Sequence, residues 1–311
     1  MELDQNPETI PPARLLIGPP HGPPSVAKTI FWNDREFRAG WRLLIYFLFV
    51  FLIVLVETAL VKALHLPQIS VAGVTATSII VQDGISLIAV IVAAGIMAML
   101  EDRPLGGYGL PSESAFGGRF WQGIVWGIGM ITAMILLIRA FGGYSFGELA
   151  LRGTALWGYA VLWGAAFLLV GLFEEFSFRG YSQFTLTTGL GFWPAATILS
   201  AAFGALHLGN RGEDRIGALS VFVIGMFFCL TLWRTGNLWF AVGLHAAFDW
   251  GETYLYSVPD SGLVAPGHLL NSSFHGPTWL TGGSVGPEGS AIAFLVVGLA
   301  AVLFVIVYLA K

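Results

Sequence analysis

Charged side chains are scarce in this chain of 311 residues: only 11% are Asp, Glu, Lys or Arg, whereas 56% are hydrophobic. This composition excludes an ordinary soluble domain and indicates a protein that crosses a membrane several times, with the lipid bilayer around it. The net charge of −4 provides no basic surface, so nucleic acid is not an expected partner. Cys229 is the single cysteine, which excludes an internal disulfide.

The signatures of several large enzyme classes are also missing. The sequence contains no phosphate-binding loop, no dinucleotide-binding glycine pattern and no serine within the local signature of a nucleophile. A catalytic site must therefore be sought among the few polar groups inside the apolar segments.

The long apolar segments predict an all-α fold, a polytopic transmembrane helix bundle of about eight spans. The expected spans are 42–64, 79–100, 119–140, 156–178 or beyond, 193–208, 216–233, 237–256 and 291–310. Residues 1–38 are rich in proline and are expected to form a flexible cytoplasmic tail. Residues 39–311 are expected to form the membrane-embedded bundle.

The distribution of Lys and Arg predicts an orientation. When successive loops are assigned alternately to two sides, ten of the 15 Lys and Arg residues fall on the side of the N-terminus. Four of them lie just before the first span: Lys28, Arg35, Arg38 and Arg42. Because cytoplasmic loops carry an excess of these residues, we expect both termini in the cytoplasm and the bundle in the plasma (inner) membrane.

Two adjacent carboxylates and an arginine interrupt the fourth apolar segment, at Glu174, Glu175 and Arg179. A charge at the centre of a membrane helix costs about 2.5–3.5 kcal/mol, so such groups are functional candidates by default. Glu175 and Arg179 share a helix face, which predicts an ion pair. Glu174 lies about 100° round the helix and is left free to react. The alternative is an ion-pair network with a purely structural role.

Later spans contain His207, His245 and Asp249, and helical spacing places the last two on one face. Together with Glu174 they are expected to converge on one wet cavity. A desolvated carboxylate can take a proton from water. Other polar groups can position that water and stabilise an oxyanion. The set therefore points to hydrolysis of an amide bond.

The depths of Glu174 and His207 constrain the fourth span. A helix rises about 1.5 Å per residue. If the fourth span stopped near Phe178, Glu174 would therefore lie near the cytoplasmic surface of the membrane and His207 near the opposite surface. We therefore expect the span to run past Arg179, to about Thr187.

Two further acids, Glu57 and Asp83, lie near the external ends of their predicted spans. Side chains at span ends commonly extend to the interface or bond locally. Neither is expected to react.

These residues resemble a known family, the CPBP intramembrane proteases, which includes type II CAAX prenyl endopeptidases and bacteriocin-processing and self-immunity proteins. The three family motifs are Glu-Glu-x-x-x-Arg, Phe-x-x-x-His and His-x-x-x-Asn/Asp. They are matched in order by Glu174, Glu175 and Arg179, by Phe203 and His207, and by His245 and Asp249. The resemblance covers about residues 155–255 and the plan of eight spans, and it leaves out the tail and residues 257–290.

The resemblance implies a membrane endopeptidase acting on a peptide or protein substrate at the membrane, lipidated or CAAX-like. By that resemblance Glu174 is the general base and His207 helps to hold the water, while His245 and the residue at 249 stabilise the oxyanion. Asp249 stands where the prenyl proteases have Asn, and the bacterial branch of the family accepts Asp.

A metal-dependent reaction is an open alternative at this point. Some descriptions of the family call its members metalloproteases. Two histidines and one carboxylate would also suit a divalent metal such as zinc with one open position.

Two other functions are alternatives to a protease. A non-catalytic membrane immunity or scaffold protein would keep the motifs for folding. A proton-coupled transporter would use buried Glu and His side chains as a relay. Transport is less favoured, because no inverted repeat is visible and the polar groups cluster in one half of the chain.

Overall fold

The computed structural model describes residues 30–32, 37–65 and 74–309. Most of the predicted tail lies outside these ranges. The helices are α1 (Ala39–Ala63), α2 (Ala76–Leu100), α3 (Gly118–Ala140), α4 (Thr154–Arg179), α5 (Tyr181–Leu190), α6 (Phe192–His207), α7 (Arg215–Thr235), α8 (Trp239–Trp250), the short α9 (Thr278–Thr281) and α10 (Ala291–Val307). A π-helical turn over Gly251–Leu255 continues α8. Each predicted span corresponds to a helix, which confirms the all-α bundle.

Within the part of the chain that the structure describes, five helical segments are long and apolar enough to cross a membrane. They are Ala39–Ala63, Ala76–Leu100, Gly118–Ala140, Thr154–Leu190 and Arg215–Thr235. The shorter α10 is apolar as well. The protein is therefore an integral membrane protein.

Helix α8 lies at the centre of the bundle. All its residues from Trp239 to Asp249 are buried, and it packs against α3, α4 and α7. A helix that is apolar on all sides is typically enclosed by others. The two polar residues of α8, His245 and Asp249, are consequently held inside the protein.

Glycine allows α3 and α8 to cross closely. Gly123 and Gly127 lie one turn apart on α3, and Cβ atoms there would collide with the carbonyl oxygens of Phe240 and Leu244 on α8. Gly243 on α8 approaches the backbone of α3 in the same way. Small residues at this spacing let membrane helices pack backbone to backbone.

We expect Gly123→Ala to destabilise the protein by about 1–3 kcal/mol, because the added methyl group overpacks the crossing. Gly129→Ala, on the same helix, is the matched control, since nothing lies within 4 Å of its Cβ position. Thermal unfolding in detergent measures both variants. Equal melting temperatures would contradict the close crossing.

The fourth span is broken rather than continuous. Helix α4 ends at Arg179, and α5 begins after Gly180, whose φ is −82° and ψ −123°. A Cβ atom at Gly180 would collide with the carbonyl of Phe176. The expected extension of the span past Arg179 is confirmed, since the helical segment continues to Leu190 with a break at Gly180.

The segment between α8 and α10 folds over one end of the bundle. Its strand β2 (Ser273–Phe274) pairs antiparallel with β1 (Tyr144–Ser145), which follows α3. An isolated bridge between Leu149 and Leu270 extends this contact. Residues 257–290 are thus held against the end of the bundle where α4 begins.

A buried ion pair joins helices at the opposite end. Arg42 of α1 donates from Nε and Nη2 to the carboxylate of Glu101, at 2.9 and 2.6 Å. The hydroxyl groups of Tyr108 and Tyr181 also donate to Glu101, at 2.8 and 2.6 Å. Four donors offset the cost of burying this carboxylate and tie α1, α2 and α5 together.

Candidate active site

A cavity of about 440 Å³ lies inside the bundle. Four of the predicted site residues line it: Glu174, His207, His245 and Asp249. Its volume is within the usual range of about 300–1,000 Å³ for ligand pockets. The structure therefore brings the reactive groups of three separate motifs to one space.

The two adjacent carboxylates have different surroundings. The side chain of Glu174 is 23% exposed and faces the cavity, whereas that of Glu175 is 0% exposed. Glu175 Oε1 accepts a hydrogen bond from Arg179 Nη1 at 3.2 Å. The ion pair expected from the spacing is present, and Glu174 is the carboxylate that faces the open volume.

Glu175 also holds His245. The Nδ1 atom of His245 lies 2.9 Å from Glu175 Oε1, and a carboxylate can only accept, so Nδ1 carries a hydrogen. The other ring nitrogen, Nε2, lies 3.6 Å from Glu174 Oε2 and 3.4 Å from Asp249 Oδ2. The sequence did not predict the Glu175–His245 contact, because its partners are 70 residues apart.

Aromatic rings support the arginine and the histidine. The Arg179 guanidinium carbon lies 4.4 Å from the ring centre of Phe203 and 5.3 Å from that of Phe228. Phe228 also stacks on His245, with ring centres 5.0 Å apart. Cation–π contacts favour a cation among rings that exclude water. Phe203 of the Phe-x-x-x-His motif therefore packs against Arg179 of the Glu-Glu-x-x-x-Arg motif. No pattern in the sequence pointed to Phe228.

His207 presents an acceptor to the cavity. Its Nδ1 atom lies 2.8 Å from the carbonyl oxygen of Phe203. A carbonyl only accepts, so Nδ1 donates and Nε2 of the neutral ring keeps its lone pair. This nitrogen can accept a hydrogen bond from a water molecule in the cavity.

Sequence reasoning missed several groups in the cavity wall. Asp83 was expected to extend to the membrane interface or to bond locally, and its place in the cavity wall was not predicted. Asp260, Ser261 and Glu288 also line it, from the segment after α8. These residues are brought to the cavity by the packing of segments that are distant in the sequence. No local sequence pattern predicts such packing.

Carboxyl groups are concentrated at the end of the cavity that residues 257–290 cover. Burial raises the pKa of Glu213 to about 7, and the negative charge of Glu288 adds to the shift. Burial also raises the pKa of Asp260, as do the carboxylates of Asp249 and Glu288. These carboxyl groups therefore keep their protons to a higher pH than carboxyl groups in water do.

The sequence left His207, His245 and Asp249 as possible ligands of a divalent metal such as zinc. Among the described residues, the ligand atoms of His207, His245 and Asp249 do not gather within 4.8 Å of one another as a set. The group that does gather consists of Asp249, Glu252 and Asp260.

Residues 156–251 match the family described as Type II CAAX prenyl endopeptidase Rce1-like. This range contains every residue of the three motifs. No curated protein and no solved structure matches the chain. The predicted resemblance is therefore confirmed over the segment that carries the motifs, and it supports a membrane endopeptidase at the level of the family.

We expect Arg179→Ala to destabilise the protein by about 3–5 kcal/mol, because it leaves the buried Glu175 without its cationic partner. Glu174→Gln is the matched comparison and should cost much less, since Glu174 is partly exposed to the cavity. Thermal unfolding of both variants in detergent measures the difference. Similar losses in the two would argue against separate roles for the adjacent carboxylates.

Proposed function

We propose that this protein is an intramembrane endopeptidase that uses a glutamate to activate water, because residues 156–251 match the Rce1-like type II CAAX prenyl endopeptidases. The observation that carries the proposal is the shared cavity, which Glu174, His207 and His245 line together. A family match by itself indicates a fold and a reaction class. The cavity supplies the groups that such a reaction needs.

Glu174 is the general base. Its carboxylate takes a proton from a water molecule as the water oxygen attacks the carbonyl carbon of the peptide bond. His207 Nε2 accepts the second hydrogen of that water and so positions it. Glu174 then returns the proton to the nitrogen that leaves, which completes the hydrolysis.

His245 stabilises the oxyanion. When Nε2 carries a hydrogen it can donate to the negatively charged oxygen of the tetrahedral intermediate. Glu175 fixes the ring through Nδ1 at 2.9 Å. Asp249 Oδ2 lies 3.4 Å from Nε2, and an ionised carboxylate has no hydrogen to donate. Asp249 is therefore a positioning residue for His245.

The substrate is a peptide segment at the membrane. The family points to a C-terminal CAAX-type sequence, in which a cysteine near the end of the chain carries a prenyl group. Prenylation would hold such a peptide in the bilayer that surrounds the bundle. A pair of peptides with and without the prenyl group tests that part of the proposal.

We expect Glu174→Gln to reduce cleavage of a farnesylated CAAX peptide in proteoliposomes by about 10²–10⁴-fold, the usual contribution of a general base. Exposed Glu148 provides the control variant, Glu148→Gln, which should cleave at the native rate. Melting temperatures verify that both variants are folded. Unchanged cleavage by Glu174→Gln would end the proposal of a glutamate-activated water and favour a scaffold role for the motifs.

A further inference from the structure

Three carboxylates outside the Glu-Glu-x-x-x-Arg motif converge beside the cavity. Asp249 lies in the last turn of α8, Glu252 in the π-helical turn and Asp260 in the segment that follows. One oxygen atom from each comes within 4.8 Å of the other two. Asp249 and Glu252 are buried and Asp260 is half-buried.

Glu252 is the unusual member of this group. Its side chain is 0% exposed, and neither Oε1 nor Oε2 has a hydrogen-bond partner among the described residues. A buried carboxylate without a partner is among the most costly groups that a protein can contain. The two oxygens of Glu252 therefore require a proton or a cation.

We propose that Asp249, Glu252 and Asp260 bind a hard divalent cation of the Ca²⁺ type. Ca²⁺ takes oxygen ligands at about 2.3–2.6 Å, so oxygens on opposite sides of one ion lie about 4.6–5.2 Å apart. The separation of 4.8 Å or less fits a single ion. A set made only of carboxylates favours Ca²⁺, Mg²⁺ or Mn²⁺ over zinc.

The neighbouring carboxylates of Glu288 and Glu213 increase the attraction for a cation. Both are already hydrogen-bonded to other groups. Glu288 accepts hydrogen bonds from the backbone nitrogen and the hydroxyl of Ser261, at 2.9 and 2.7 Å. Glu213 accepts one from the backbone nitrogen of Asp214 at 3.0 Å. Thr253 donates to Asp260 Oδ2 at 3.1 Å, which orients that carboxylate toward the group.

The cation would join two segments of the cavity wall. Asp249 belongs to α8 and Glu252 to the π-helical turn that continues it, whereas Asp260 belongs to the segment that covers the bundle. A bound ion would fix these segments relative to each other, beside the catalytic groups. Glu174 takes no part in the site, so the proposal does not depend on the catalytic role of Glu174.

The test uses the full-length protein in detergent, stripped with EDTA and dialysed. Thermal unfolding is followed with added CaCl₂, and MgCl₂ and ZnCl₂ are examined in parallel. We expect Ca²⁺ at about 100 times its Kd to raise the melting temperature by about 5 °C. Calorimetric titration should give one Ca²⁺ per protein.

Variants locate the ion. Glu252→Gln and Asp260→Asn should each abolish the Ca²⁺-dependent rise, whereas the exposed control Glu148→Gln should keep it. Asp260→Asn changes a half-buried residue and provides the test if Glu252→Gln does not fold. Glu174→Gln should also keep the rise, so that loss of cleavage and loss of the ion are separate results.

Three results would overturn the proposal. The first is no Ca²⁺ binding by the native protein, which would mean that protons alone neutralise the carboxylates. The second is an undiminished rise in both Glu252→Gln and Asp260→Asn. The third is stabilisation by Zn²⁺ without stabilisation by Ca²⁺ or Mg²⁺.

Discussion

The polar interior of this bundle depends on one fully buried carboxylate, Glu175. An isolated charge in such surroundings costs several kcal/mol, so its partners must be held in place. Arg179 lies one turn further along α4, and His245 comes from α8. Arg179 is in turn packed between Phe203 of α6 and Phe228 of α7. Four helices therefore meet around a single side chain.

This arrangement gives the two adjacent Glu residues different surroundings. Glu175 is engaged on two sides and is closed off from the cavity, whereas Glu174, one residue earlier, points into it. A rotation of about 100° along a helix separates the two environments. Within one turn of α4, Glu175 is thus fixed by buried partners and Glu174 is accessible from the cavity.

The parts that the sequence predicted well are those that local physics determines. Long apolar runs identify spans because a helix needs about 20 residues to cross the bilayer. The pair of Glu175 and Arg179 and the pair of His245 and Asp249 follow from helical spacing. The break at Gly180 was missed, since a glycine within an apolar run does not by itself end a helix.

Contacts between distant segments could not be predicted in this way. The bond between Glu175 and His245 and the stacking of Phe228 depend on how α4, α7 and α8 pack. The place of Asp83 in the cavity wall depends on how α2 packs against α4. These are consequences of three-dimensional packing that a single sequence, read by its periodicity, does not contain.

Part of the cavity wall lies outside the segment that matches the family. Asp260, Ser261 and Glu288 lie beyond residue 251, where the family match ends. The cavity is therefore lined by two separate stretches of the sequence, one inside the family match and one beyond it. A substitution in the second stretch can change the shape and charge of the cavity while every motif residue stays the same.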